Sequence, residues 1–266
     1  MIILFYIILR IQKKNEDVVI ITMYDAVGQM VAKVHVKSTM LVPRNTAERV
    51  FVLYLDRLLT LIESALELVN GDDATAATVL MRSALECYVD LYNLSRDGEK
   101  YLLVLRAMLL ENRSAIFHFK TQPHYGYFVE ELGESGALKR GKEIAAQLKT
   151  ALKDATDVYP VIRYSPRNLT ILNRFRIADM EERYHTEYTW LSMETHNALE
   201  SLLVEEGLRR SGEMFDEAQE EISASAVLHL ATGFMVDTLK CIAAVFGPDD
   251  DLTRGFLHAL EDVESD

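Results

Sequence analysis

Between Asn45 and Asn70 apolar residues recur every three or four positions: Val50, Leu53, Tyr54, Leu58, Leu61, Ile62, Ala65 and Leu68. That spacing lays a single stripe along an α-helix, with Asn45 or Thr46 placed to cap its start. The GDDAT link follows, in which Gly71 stops the helix and Asp72 or Asp73 caps the next one. The segments 45–70 and 74–95 are therefore predicted to form an antiparallel hairpin. The stretch Ala74 to Leu94 (ATAATVLMRSALECYVDLYNL) is apolar around most of its circumference, except where Arg82 and Glu86 stand one turn apart. It reads as a core helix carrying a charge pair.

A third helix is predicted from Gly98 to about Phe119, with Leu102, Leu105, Leu109 and Ile116 as its stripe, before TQPHYGY breaks it. A lysine-rich helix runs from Ala137 to Val158, and Pro160, Pro166 and Asn168 then mark an irregular connection. Helix resumes from Ala178 to Val204 and, after a break from Gly207 to Gly212, from Glu217 to Phe246. The sequence GPDDD ends that helix, and a short amphipathic one is predicted from Leu252 to Leu260.

Upstream the texture differs. Val18 to Tyr24 and Val31 to Lys37 are rich in β-branched residues, and the second alternates with period two. With Gly28 between them as a turn residue, they predict a small β-hairpin. The expected organisation is thus mainly α: an N-terminal appendage at 1–42 and an antiparallel helical bundle at 43–266. The opening run MIILFYIIL is too short to span a bilayer, which takes roughly 20 residues, and lacks the features of a signal peptide. It reads as a buried or strand-like segment.

Composition narrows the function classes. Hydrophobic residues make up 49% of the 266-residue chain and charged residues 26%, the balance of a globular protein. A formal net charge of -13 argues against coating nucleic acid or an anionic membrane through bulk charge, which needs clustered Lys and Arg. No membrane partner is expected, and a homodimer is left open. Cys87 and Cys241 both fall inside apolar helical patterns, as buried reduced thiols of a cytoplasmic protein do. His118 and His124 lack carboxylates at ligand spacing, so neither a metal nor a cofactor is expected. P-loop, GxGxxG, GxSxG and HExxH patterns are all absent from the sequence.

The candidate chemistry lies in two stretches. On a straight helical projection of YTWLSMETH, Tyr188, Ser192 and His196 share a face with Leu199 and Leu203, and His185 lies on the same side. A buried imidazole and hydroxyl need hydrogen-bond partners. The Arg82–Glu86 strip, with Asp90 one turn further, can supply them. If the strip faces inward, Glu86 can accept from His196 and Arg82 can clamp an anion. If it faces solvent, the pair is an ordinary surface bridge.

The RxxxE spacing of RSALE (Arg82 to Glu86), followed about a hundred residues later by YTWLSMETH, resembles the bacterial DUF5677 family. The resemblance covers about residues 45 to 245. It implies a helical domain of unassigned function in which Arg82, Glu86, Ser192 and His196 are the polar motif positions and meet in the core. Such domains are also similar in general organisation to HEPN domains, many of which are ribonucleases with an Arg and a His four to six residues apart at a dimer interface. Arg113 and His118 (RSAIFH) match that spacing, but they end a middle helix rather than opening a late one.

Three readings follow. Arg82, Glu86, Tyr188, Ser192 and His196 bind a small anionic or RNA-derived ligand, with His196 and Glu86 as candidate catalytic groups. Alternatively, the chain is a metal-independent ribonuclease of HEPN type in stress or phage defence, with His196 or His118 moving the proton. In the third, the polar residues only fix helix packing and the acidic surface recruits a partner.

Overall fold

The structure is a computed structural model that describes residues 16–71, 73–118, 123–162, 169–195 and 215–247. The described residues are mainly helical, with no strand among them. In chain order the long helices are α1 (Glu16–Ser38), α2 (Thr46–Asn70), α3 (Ala74–Asp97), α4 (Tyr101–His118) and α5 (Pro123–Val158). A short α6 (Ile171–Ile177) and a single turn α7 (Glu181–Arg183) follow, then a π-helical turn at Tyr184–Tyr188 that runs into α8 (Thr189–Thr195), and finally α9 (Phe215–Phe246).

The predicted β-hairpin is replaced by α1. Val34 and Val36 decide the matter, because residues two apart share a face in a strand and oppose each other in a helix. Val34 is 1% exposed and Val36 59%. Val27, Met30, Val31 and Val34 form the buried stripe at helical spacing, and a side chain at Gly28 would meet open space. The β-branched residues that suggested strands were recording burial, which either element can supply.

At the start of α2 the Asn45 carboxamide accepts from the Glu48 backbone N–H at 2.9 Å while donating to the Glu48 carboxylate at 3.0 Å, a reciprocal cap. Arg44 holds the same carboxylate at 2.9 Å and so keeps its pKa below the ordinary carboxylate value. Between α2 and α3, the Gly71 and Asp73 amides donate back to the Leu68 carbonyl, and Asp73 accepts from the Ala76 N–H at 3.1 Å. The turn is therefore built as its sequence predicts. The buried stripe of α2 coincides with the projection at Leu58, Leu61, Ile62 and Ala65 and adds Phe51, Leu55, Leu59 and Leu66, whereas Leu53 is exposed. In α4 the buried residues are Tyr101, Val104, Ala107 and Leu110, and Leu109 of the projected stripe is exposed. Both helices have leucines on more than one side, which leaves the phase of the stripe open by one or two residues.

The chain divides into two compact units. The first comprises the described residues within Met1–Pro43, Val52–Leu91 and Thr186–Asp266. In it α9 packs on α1, and the Cys87 thiol of α3 donates to the Tyr54 carbonyl of α2 at 3.2 Å, the cross-hairpin contact of antiparallel neighbours. Tyr88 of α3 stacks on Phe234 of α9 at 5.2 Å between ring centroids and donates to Asp237 at 3.1 Å. Ser223–Phe246 of α9 is long and apolar enough to cross a membrane, but half of its most apolar window is buried inside the protein, as in the core helix of a globular domain.

The second unit comprises the described residues within Arg44–Phe51 and Tyr92–His185. Here α4 packs on α5, whose axis bends at Gly133 (φ 69°). Phe117 stacks on Phe128 at 4.6 Å. The last turn of α3 is tied to α6 by Arg96, which donates to the Ile177 carbonyl and to Asp179. Asp179 stands in the left-handed region (φ 59°), a conformation an aspartate tolerates better than most residues. The predicted helix at Leu252 to Leu260 and the opening apolar run lie outside the described residues.

Candidate functional site

The first unit brings Arg82 and Glu86 of α3 together with Tyr188, the last residue of the π-helical turn. Arg82 Nη2 donates to the Tyr188 hydroxyl at 2.8 Å, and that hydroxyl donates to Glu86 Oε1 at 3.2 Å. Arg82 Nε lies 3.8 Å from the same carboxylate oxygen, and the guanidinium carbon stands 5.1 Å from the centre of the Tyr188 ring. The phenol thus accepts a charge-assisted bond, relays its own proton toward the carboxylate and presents its ring to the cation.

Burial places this cluster between the two orientations open to the strip. The side chains of Arg82 and Glu86 are 21% and 33% exposed, so the pair is neither in the dry core nor on an open surface. One turn along, Asp90 is fully buried, and Tyr188 is buried with 8% of its surface exposed. The strip therefore descends from solvent into the protein. A guanidinium in such a place is screened less than a surface charge and remains within reach of a solute.

Ser192 lies in α8, half-buried, and its hydroxyl donates to the Tyr188 backbone carbonyl at 2.7 Å. That bond, one turn back in its own helix, holds the segment carrying Tyr188. His196 lies outside the described residues, as do Leu199 and Leu203. His185 is exposed and sits 3.7 Å from Glu181, away from the buried face on which a straight projection puts it. The π-helical turn accounts for this: one inserted residue puts His185 about 100° away from its place on a straight helical projection. π-Bulges are frequent at functional sites, where the wider turn re-aims a side chain. Here it ends on the residue that meets Arg82.

Arg113 is exposed near the end of α4 and belongs to the second unit. The side chain of His118 lies outside the described residues. Cys87 and Cys241 are both buried.

Several polar residues went unnoticed in the sequence. Asp237, in the apolar α9, bonds Tyr88 and also accepts from Lys240 at 2.9 Å. Asn93, Asn173 and Arg174 are buried in the second unit. Asp237 and Asn93 are polar residues among mostly apolar neighbours, and Asn173 and Arg174 stand side by side in ILNRFRI; neither pattern by itself says whether the side chain faces in or out.

The model of a family described as a "Family of unknown function (DUF5677)" matches residues 48–210. The match spans most of the chain and includes Arg82, Glu86, Tyr188, Ser192 and His196. No curated protein and no solved structure matches the chain.

Proposed function

The chain belongs to the DUF5677 family, whose function is unknown, and we propose that its Arg82, Glu86 and Tyr188 form a receptor for a small anion, such as a phosphate group of an RNA-derived fragment. Ser192 and His196 complete the set on sequence spacing. The observation that carries this reading is the Arg82–Tyr188 pair: a guanidinium fixed at 2.8 Å on a phenol hydroxyl, and still one-fifth accessible. Holding the guanidinium in one orientation before the ligand arrives reduces the entropy lost on binding. Its planar fork suits two oxygens of a phosphate or carboxylate. Glu86 accepts the phenol proton and so keeps the hydroxyl lone pairs turned to Arg82.

Melting of the purified chain across a titration of inorganic phosphate, and separately of a 5′-phosphorylated oligoribonucleotide, tests the reading. A ligand at 100 times its Kd stabilises the folded state by about 2.7 kcal/mol, which raises Tm measurably. Arg82→Gln abolishes that rise while the unliganded protein still melts cooperatively. An equal rise in the variant contradicts the reading.

A second reading is favoured by the burial of Tyr188 and by the local use of the Ser192 hydroxyl: the cluster is a bolt that fixes α8 against α3 and binds nothing. In that case Tyr188→Phe lowers stability and no anion changes Tm in either protein.

A further inference from the structure

Inside the second unit the last turns of α3 meet α6 through a side-chain amide. Asn93 is 0% exposed and Asn173 2%. Asn93 Nδ2 donates to the Arg174 carbonyl at 3.1 Å, so α3 grips α6 at the residue next to Asn173. Asn93 Oδ1 and Asn173 Nδ2 are both buried with no hydrogen-bond partner among the described residues. One is an acceptor and the other a donor, in the same joint. Leaving either group unpaired costs about 1–3 kcal/mol, and buried polar groups in folded proteins are overwhelmingly paired. Rotating the Asn93 amide by half a turn is no remedy, because it sets Oδ1 against the Arg174 carbonyl and strands Nδ2 instead.

We propose that Asn93 and Asn173 hold an internal water molecule, which accepts from Asn173 Nδ2 and donates to Asn93 Oδ1. Water is the chemical class that fits. The joint presents one neutral acceptor and one neutral donor, which suits a molecule able to play both roles and gives a bare cation or an anion only one contact. Its side chains are closed to solvent, which excludes an organic ligand that must enter and leave. A buried water commonly makes about three hydrogen bonds to such orphaned groups and is costly to remove. The water turns the single Asn93–Arg174 bond into a connected network between α3 and α6, and it makes Asn173 a positioning residue for that joint.

A crystal structure of the full chain at a resolution that shows ordered solvent is the test. The expected result is a water within hydrogen-bond distance of both Asn93 Oδ1 and Asn173 Nδ2, absent from the Asn173→Leu variant. Oxygen-17 relaxation dispersion on the same two proteins gives the matching solution result, with fewer long-residence waters in the variant. Should Asn173→Leu fail to fold, the wild-type density decides alone. A dry joint in the wild type, or two amides bonded directly to each other, overturns the proposal.

Discussion

Arg82 Nη2 and the Tyr188 hydroxyl lie 2.8 Å apart although 106 residues separate them in the chain. A guanidinium and a phenol so placed are held by what surrounds them: a π-helical turn that ends on Tyr188 and the helix α3, which carries Arg82 between the buried Met81, Ala84 and Leu85. Removing the hydroxyl while keeping the ring isolates this contact. Tyr188→Phe is expected to lower unfolding stability by about 1 kcal/mol, the net worth of a typical buried hydrogen bond. Urea denaturation with an unchanged m-value checks it; a loss of several kcal/mol would mean that the ring itself has moved.

The replacement of the expected hairpin by α1 separates two valines. Val34→Asp buries a charge in the core and is expected to destabilise the chain by more than about 3 kcal/mol, whereas Val36→Asp changes it by no more than about 0.5 kcal/mol. Chemical denaturation of the two variants compares them directly. A strand with alternating faces predicts similar costs for both.

Glu111 gives a pH dependence. Burial raises its pKa above 4.5, partly offset by the Leu169 backbone N–H that donates to it at 3.2 Å. Between 4.5 and the raised value the folded chain binds more protons at this site than the unfolded chain, so this group's contribution to stability falls as pH rises through that window. Glu111→Gln keeps an acceptor for Leu169 and removes the charge. The variant is expected to gain stability on the neutral side of the window and little or none below it. Denaturation midpoints measured from pH 4 to pH 7 show the difference, and a variant less stable than the wild type at pH 7 contradicts the assignment.

Both cysteines are buried, and the Cys87 thiol donates to the Tyr54 carbonyl. A bulky aromatic disulfide reagent is expected to leave both thiols unmodified in the native chain and to titrate both once urea unfolds it. Rapid modification of Cys87 in the native state would show that the hairpin of α2 and α3 opens readily.

The parts of this fold that could be read in advance are those dictated by local chemistry. Asn45 and Asp73 cap their helices through their own side chains, Gly71 ends α2, and RSALE lies on a helix that is apolar nearly all round. What stayed hidden depends on partners. Val31 to Lys37 carries both a period-two and a helical pattern, and only the tertiary packing of its buried side selects between them. Leu53 and Leu109 have the same composition as their buried neighbours, so the phase of those stripes is set by what covers them. The π-helical turn leaves no mark in YHTEY, yet it decides that His185 faces outward and Tyr188 meets Arg82. The candidate site was visible as residue types at a spacing. The role of Tyr188 as the bridge between Arg82 and Glu86 was not.

Calorimetric titration of inorganic phosphate into the wild-type chain, Arg82→Gln and Tyr188→Phe tests the central claim most directly. A receptor built on the Arg82–Tyr188 pair gives saturable binding to the wild type, a loss of at least about tenfold in Arg82→Gln, equivalent to about 1.4 kcal/mol, and a smaller loss in Tyr188→Phe. Identical heats for all three proteins, or none in the wild type at millimolar phosphate, contradict it and leave the cluster as a structural bolt.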